Sequence, residues 1–432
     1  MGLARGCIVL AAGLLVPSAA LAAEGATTRR VSVSSQGESG NLLSDTCDAA
    51  TGGTAVAFGS YATNLVPGDT NGQPDVFAWD QSGAVERVSV TTSGEQSRTF
   101  TEWPTISDDG RFVAFSASGR RLLTERRDHR WMSVFVHDRV AGSTTRVSGP
   151  TDGGRVRGNA SEASISGSGR YVAFVSSAPN LTVKRDRNDA SDVFVHDRET
   201  GKTNRVSLTA RGTETNSDSS GIDISADGRY VTYGSYANNI VGDDDNGAPD
   251  IFVYDRVERT TERVSLKASG KPSGSYSFNP TISADGRHVA FASWARLAPS
   301  DAAGTDVYVH DRAAGTTELV SVGTRGAGNG DSNYPSISDD GRYVAFTSFA
   351  DTLVDGDTNE APDAFVRDLD AAATARVSVG DEGQEANAGS VSAPAISPDG
   401  RYVCFSTAAT NLGGAADDYP EDGDVYLRGP LF

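Results

Sequence analysis

One nine-residue pattern constrains this chain more than anything else in it. Ser338-Asp339-Asp340-Gly341-Arg342-Tyr343-Val344-Ala345-Phe346 recurs from Ser107 to Phe115 and from Ser166 to Phe174. Further copies run Ser225 to Tyr233, Ser283 to Phe291 and Ser397 to Phe405, with a worn copy from Ala50 to Phe58. Their glycines fall at 53, 110, 169, 228, 286, 341 and 400. So regular a period means one supersecondary unit stacked on itself, because no unit of this size buries its apolar faces alone.

The sixth unit reads as four strands. Pro335-Ser336-Ile337-Ser338 is a short strand entered through a proline, where a missing donor is tolerated. Asp340-Gly341 is a hairpin turn that needs positive φ. Arg342 to Ser348 is the second strand, and its run Tyr343 to Phe346 implies burial on both faces. Ala364 to Asp368 and Ala375 to Val379 complete the set. Four antiparallel strands repeated seven times predict an all-β, seven-bladed β-propeller. The last unit ends without a fourth strand, and the missing Arg-Val-Ser-Val stands at the other end as Arg30-Val31-Ser32-Val33. That segment is predicted to complete blade seven by pairing with Asp424 to Leu427.

The repeat, followed by an Asp-Val-Phe-Val-x-Asp strand, resembles the WD-repeat-like propeller repeat of exported bacterial proteins, the TolB-like family. The resemblance covers the chain after its first residues and implies a propeller that binds proteins. The α/β domain that precedes the TolB propeller has no counterpart here, so the resemblance extends to the propeller alone.

Arg5, the apolar run Cys7 to Val16 and the small-residue site Ala20-Leu21-Ala22 read as a secretory leader over residues 1–22. Residues 23–432 then form a single exported domain, periplasmic or extracellular, and no later stretch reaches membrane-spanning length. The net charge of -19 argues against nucleic acid as a partner, since phosphate binding needs a basic face. A monomer is expected, with a protein or glycan ligand. Cys47 and Cys404 fall in the first and last units, which adjoin in a closed ring. They are either bridged or two buried thiols.

Strand order sorts the connections onto two rims. Tight turns such as Asp109-Gly110 and Ala141-Gly142 share one rim, where Arg111, Arg170, Arg229, Arg287, Arg342 and Arg401 recur near Asp138, Asp197, Asp255, Asp311 and Asp368. Recurrence favours blade-to-blade ion pairs over a binding ring. Longer, irregular loops share the other rim, where scaffolds place function. There Asp69, Asn71 and Asp75 form a pattern that returns as Asp186, Asn188 and Asp192, as Asp244, Asn246 and Asp250, and as Asp357, Asn359 and Asp363. Oxygen donors at positions one, three and seven resemble the start of a calcium loop, although no bidentate glutamate follows at twelve. An Asx-rich turn fits equally well. Calcium is the sole candidate cofactor.

The second unit replaces the pattern with Arg126 to Arg130 beside Trp131, and the fifth shortens it to Asp301 to Asp306. His137, His196 and His310 share a position with Tyr254 and Trp79, which marks packing rather than catalysis. No nucleophile elbow or zinc signature is present. The leading expectation is a non-enzymatic binding or scaffolding propeller. The alternative is a carbohydrate-active hydrolase or lyase, which non-repeating acids converging on the axis would favour.

Overall fold

The computed structural model describes residues 25–118, 122, 131–151, 154–182, 186–299, 304–390, 392–413 and 423–432. The proposed leader, the Arg126 to Arg130 run and Asp301 to Ala303 lie outside them. Seven four-stranded antiparallel sheets follow one another along the chain. Blade one is Ser44–Ala49, Ala55–Ser60, Asp75–Asp80 and Val85–Arg87, innermost strand first. The innermost strands of blades two to six are Thr101–Ile106, Ala160–Ile165, Ser219–Ile224, Ser277–Ile282 and Ser332–Ile337. Blade seven takes Ala395–Ile396, Val403–Thr407 and Asp424–Gly429 from the end of the chain and Thr27–Arg30 from its beginning.

The apolar runs are buried on both faces because each blade is sandwiched between two others. Val113, Ala114 and Phe115 of blade two are wholly buried, as are Val134, Phe135 and Val136 beside them. Each blade pairs one aromatic ring from its second strand with one from its third, such as Phe115 with Phe135 at 6.0 Å and Phe405 with Tyr426 at 5.9 Å. The Asp-Gly turns need glycine twice over. Gly169 has φ +71°, and a Cβ there would fall 2.2 Å from the Phe112 ring of the preceding blade.

The closing strand lies three residues earlier than Arg30 to Val33. Thr27 to Arg30 form the ladder, with Thr27 opposite Gly429 and Arg30 opposite Tyr426. Val31 and Ser32 then share one acceptor, the Val425 carbonyl, at 2.8 and 3.4 Å. The same divided bond recurs where Val206 and Ser207 reach the Val193 carbonyl, and where Val377 and Ser378 reach that of Ala364. Arg-Val-Ser is thus the exit from strand four rather than the strand itself. The exit turns the serine hydroxyl inward. Ser32 donates to Asp424 at 2.5 Å and accepts from the Val425 amide at 3.1 Å. Ser32→Ala should therefore leave a buried amide unpaired and cost about 1–3 kcal/mol, measurable by urea unfolding. A loss below ~0.5 kcal/mol would mean this contact does not hold the closure.

Cys47, on the innermost strand of blade one, is bridged to Cys404, on the second strand of blade seven, with the Cα atoms 6.2 Å apart. The pair sits in a core cluster with Val56, Phe58, Val425 and Leu427.

Candidate functional site

The tight rim is saturated by its own charges. Arg111 forks onto Asp138, donating from Nε at 2.9 Å and from Nη2 at 2.7 Å. Arg170 with Asp197, Arg287 with Asp311 and Arg342 with Asp368 repeat the fork. These pairs join neighbouring strands of one blade, which corrects the expected blade-to-blade pairing. Tight-turn geometry puts the start of strand two beside the end of strand three, within side-chain reach. The link between blades is the arginine that follows the aspartate. Arg198 covers the Phe112 ring of the preceding blade at 4.1 Å, Arg256 covers Tyr171 at 4.2 Å and Arg312 covers Tyr230 at 4.6 Å. The Arg111 fork holds the Asp138 carboxyl down at about 2. His137, His196 and His310 each hydrogen-bond a strand-four threonine at 2.9 Å, and burial pushes their pKa values down, as fits packing positions.

The four Asp/Asn loops lie on the other rim, and each converges on an arginine of strand four. Arg87 reaches Asp69 at 3.2 Å and Asp75 at 3.4 Å. Arg205 reaches Asp186 at 3.2 Å and Asp192 at 3.1 Å. Arg263 reaches Asp244 at 3.4 Å and Asp250 at 3.3 Å. Arg376 reaches Asp357 and Asp363 at 3.3 Å and Glu385 at 2.5 Å.

The asparagines bridge. Asn71, Asn188, Asn246 and Asn359 donate to Asp75, Asp192, Asp250 and Asp363 at 2.7, 3.2, 2.9 and 3.1 Å. Their carbonyl oxygens accept the amide two residues on, which closes an Asx turn. The second aspartate of each loop also takes a serine hydroxyl, from Ser89, Ser207, Ser265 or Ser378. Burial lifts Asp75, Asp244 and Asp357 to about 6 even beside the guanidinium. The three carboxylates Asp357, Asp363 and Glu385 lie close enough to hold one ion, but Arg376 pairs with all three. Calcium at any of these loops would have to displace a buried arginine.

Blade five tests what that arginine is for. Its loop lacks the Asp-x-Asn pattern, and Leu319, buried, stands where the other blades carry arginine. Both are missing from blade five, whereas blade two lacks the pattern and keeps its arginine, Arg146.

A second group of acids, unseen in the sequence, meets at the axis. Asp48, Ser164, Asp223, Thr281 and Ser336 occupy one ring of the innermost strands, with links running from blade to blade. Asp48 accepts the Ile106 amide at 2.8 Å; Asp223 accepts the Ile282 amide at 2.9 Å and the Ser164 hydroxyl at 2.8 Å. Burial pushes Asp48 up to about 7, with Asp223 and Asp108 adding like charge. Asp339, in the tight turn of blade six, is also pushed to about 7 by burial, then by Asp108, Asp223, Asp340 and Asp399.

A folded pKa raised above the ordinary carboxyl value means that the native state holds protons the unfolded chain has lost. This contribution is full below about pH 4 and disappears as pH rises through 7. Asp339→Asn should therefore stabilise the protein by about 1 kcal/mol at pH 8 and do little at pH 4, read from urea unfolding at both values. Equal effects at the two pH values would exclude this coupling.

At the loop-rich mouth the innermost strands bulge. Trp103, Glu162, Asn279 and Tyr334 hold φ of 52–54°, a conformation that costs non-glycine residues about 1–3 kcal/mol and gathers at functional sites. Trp103 and Tyr334 are exposed there. Glu102 is pushed up to about 7 by burial and by Asp45. The ends of strand two add Tyr61, Tyr236, Trp294 and Phe349, all exposed, and Phe100 and Tyr276 precede strand one. The repeated Ser-aromatic-Ala at 60–62, 235–237, 293–295 and 348–350 was the available signal.

No protein family matches this chain, and no curated protein does. Solved structures match it in fold. TolB from Acinetobacter baumannii aligns at 17% identity and TM-score 0.39 over 70% of this chain, which spans 58% of that protein's length. An oligogalacturonate lyase from Vibrio parahaemolyticus aligns over 93% of both chains at 12% identity and TM-score 0.54. The β-propeller domain of the Trilobed protease from Pyrococcus furiosus aligns over 91% of this chain and 96% of that one, at 11% identity and TM-score 0.51. The chain is a seven-bladed β-propeller, and at these identities its likeness to these structures is one of fold. No helix among the described residues is long and apolar enough to cross a membrane.

Proposed function

We propose that this chain is an exported binding module whose protein or glycan ligand docks on the loop-rich rim, around the axial mouth. One observation carries the reading. Of the twelve large hydrophobic side chains exposed among the described residues, all but Val140, Val257 and Phe432 belong to that rim. One-sided apolar exposure on a charged protein marks an interaction surface. The leader-like first residues and a disulfide support export.

The test compares Tyr276→Ala/Trp294→Ala with Val140→Ala/Val257→Ala on the opposite rim. Each immobilised protein captures envelope proteins and cell-wall glycans of the native host. A species lost by the first variant and kept by the second is the expected result. Equal capture by both places the binding face elsewhere.

A second reading, a glycoside hydrolase or lyase, is favoured by Glu102. Burial, with the nearby Asp45 charge, pushes the Glu102 carboxyl up to about 7, which suits a proton donor in such chemistry, and Asp45 is itself pushed up by burial. Were this reading right, the wild type would release reducing or unsaturated ends from some polysaccharide, and Glu102→Gln would not. No release from a broad polysaccharide panel would exclude it.

A further inference from the structure

The tight rim displays how this fold combines a ring with a carboxylate. Arg111 lies over the Phe112 ring at 4.7 Å while forking onto Asp138, and Arg198 of the next blade covers the same ring at 4.1 Å. Tyr171, between Arg170 and Arg256, and Tyr230, between Arg229 and Arg312, repeat the arrangement. Aromatic ring, carboxylate and guanidinium occur together there, and the chain supplies all three.

On the opposite rim the exposed ring cluster of blades four to six has carboxylates beside it but no guanidinium over it. Tyr276 and Trp294 of blade five stack at 4.8 Å, and Tyr236 of blade four meets Tyr276 edge-on at 6.2 Å. Tyr236 is 53% exposed and Trp294 55%. Exposed aspartates flank this cluster. The Asp218 carbonyl accepts the Tyr236 amide at 3.0 Å, and the Asp331 carbonyl accepts the Phe349 amide at 2.9 Å. Each aspartate is thereby fixed beside an exposed ring. Among the described residues no guanidinium lies over these rings, and no cation pairs with Asp218 or Asp331.

We propose that this surface docks an arginine-rich polypeptide segment, whose guanidinium groups lie on the open ring faces and pair with Asp218 and Asp331. The proposal rests on the reading of the loop-rich rim as the binding face. The net charge of -19 steers such a segment toward the protein. Ring faces and carboxylates together favour the planar guanidinium over the more strongly hydrated ammonium. One oxygen of each carboxylate already accepts a backbone amide, from Ser191 to Asp218 at 2.7 Å and from Thr305 to Asp331 at 2.8 Å, and a neutral glycan would leave both without a counter-charge.

The probe is a labelled peptide of alternating glycine and arginine, with glycine–lysine and glycine–glutamate peptides and neutral oligosaccharides beside it, at about 150 mM salt. The arginine peptide should bind the full chain more tightly than the lysine peptide. Tyr276→Ala/Trp294→Ala, which leaves the charge unchanged, should weaken it about tenfold, equivalent to about 1.4 kcal/mol. Asp218→Asn/Asp331→Asn should weaken it too, and stands in should the aromatic variant fail to fold. Arginine-peptide binding that is absent, or that every variant retains, overturns the proposal, the latter leaving only diffuse attraction. Oligosaccharide binding that is lost with the ring variant overturns it as well, while leaving the rim as the binding face.

Discussion

Arg205→Met is expected to unfold about 3–5 kcal/mol more easily than the wild type at pH 7. Methionine keeps most of the volume that the arginine stem places against Phe194 but removes the charge. What remains is Asp186 and Asp192, with side chains 5% and 0% exposed, and Glu214 nearby, none facing its arginine. Removing one member of a buried pair is costly because the survivor stays dry and charged. Urea unfolding measures the loss, and one below ~1 kcal/mol would show the pairing to be incidental.

Blade five indicates the remedy. There leucine replaces the arginine, and Asp306 still accepts the Ser321 hydroxyl at 2.7 Å. Arg205→Leu with Asp186→Ala should recover much of the stability. We propose that these loops are closed by their own arginines and not by calcium. The wild type should then show no shift in Tm at millimolar calcium. Arg205→Met, which takes the guanidinium from between the carboxylates, should regain stability when calcium is added, through binding to the native state. A calcium-dependent Tm in the wild type, abolished by Asp69→Asn/Asp75→Asn for its share, would reverse this reading.

The periodic parts of the molecule were the legible ones. Seven glycines at near-equal spacing identify seven turns, and an orphan Arg-Val-Ser at residues 30–32 identifies the closure, because both signals are local and repeated. The boundary of the closing strand was not legible, since a divided hydrogen bond to the Val425 carbonyl leaves no mark on composition. The acidic loops were found but not their counter-charge. Asp69 and Arg87 are distant in the pattern and meet only when strand four returns beside strand three. The axial acids escaped for a related reason. Asp48 and Asp223 share their ring with Ser164, Thr281 and Ser336, so the column reads as merely polar until the ring closes.

Reduction of the Cys47–Cys404 bridge is expected to cost about 2–5 kcal/mol. The ring has one joint without a continuous chain, inside blade seven, where the Asp424–Gly429 strand meets Thr27–Arg30. Without the bridge a ladder of four residues, with side-chain bonds such as Ser32 to Asp424 and Arg30 to Tyr426, would have to hold it. The disulfide ties blade one, which follows Thr27–Arg30 in sequence, to the strand that precedes Asp424–Gly429. It therefore spans the joint with a sequence separation of 357, and linking residues so far apart removes much freedom from the unfolded chain. Comparing oxidised and reduced wild type in urea isolates this term without emptying the core, which Cys47→Ala/Cys404→Ala would do. In native-state hydrogen exchange the amides of Val31 and Ser32, which bond the Val425 carbonyl, should exchange faster once the bridge is reduced. Equal exchange in both forms would mean that the strand pairing holds the ring unaided. Two titratable thiols in protein denatured without reductant would mean that the bridge does not form.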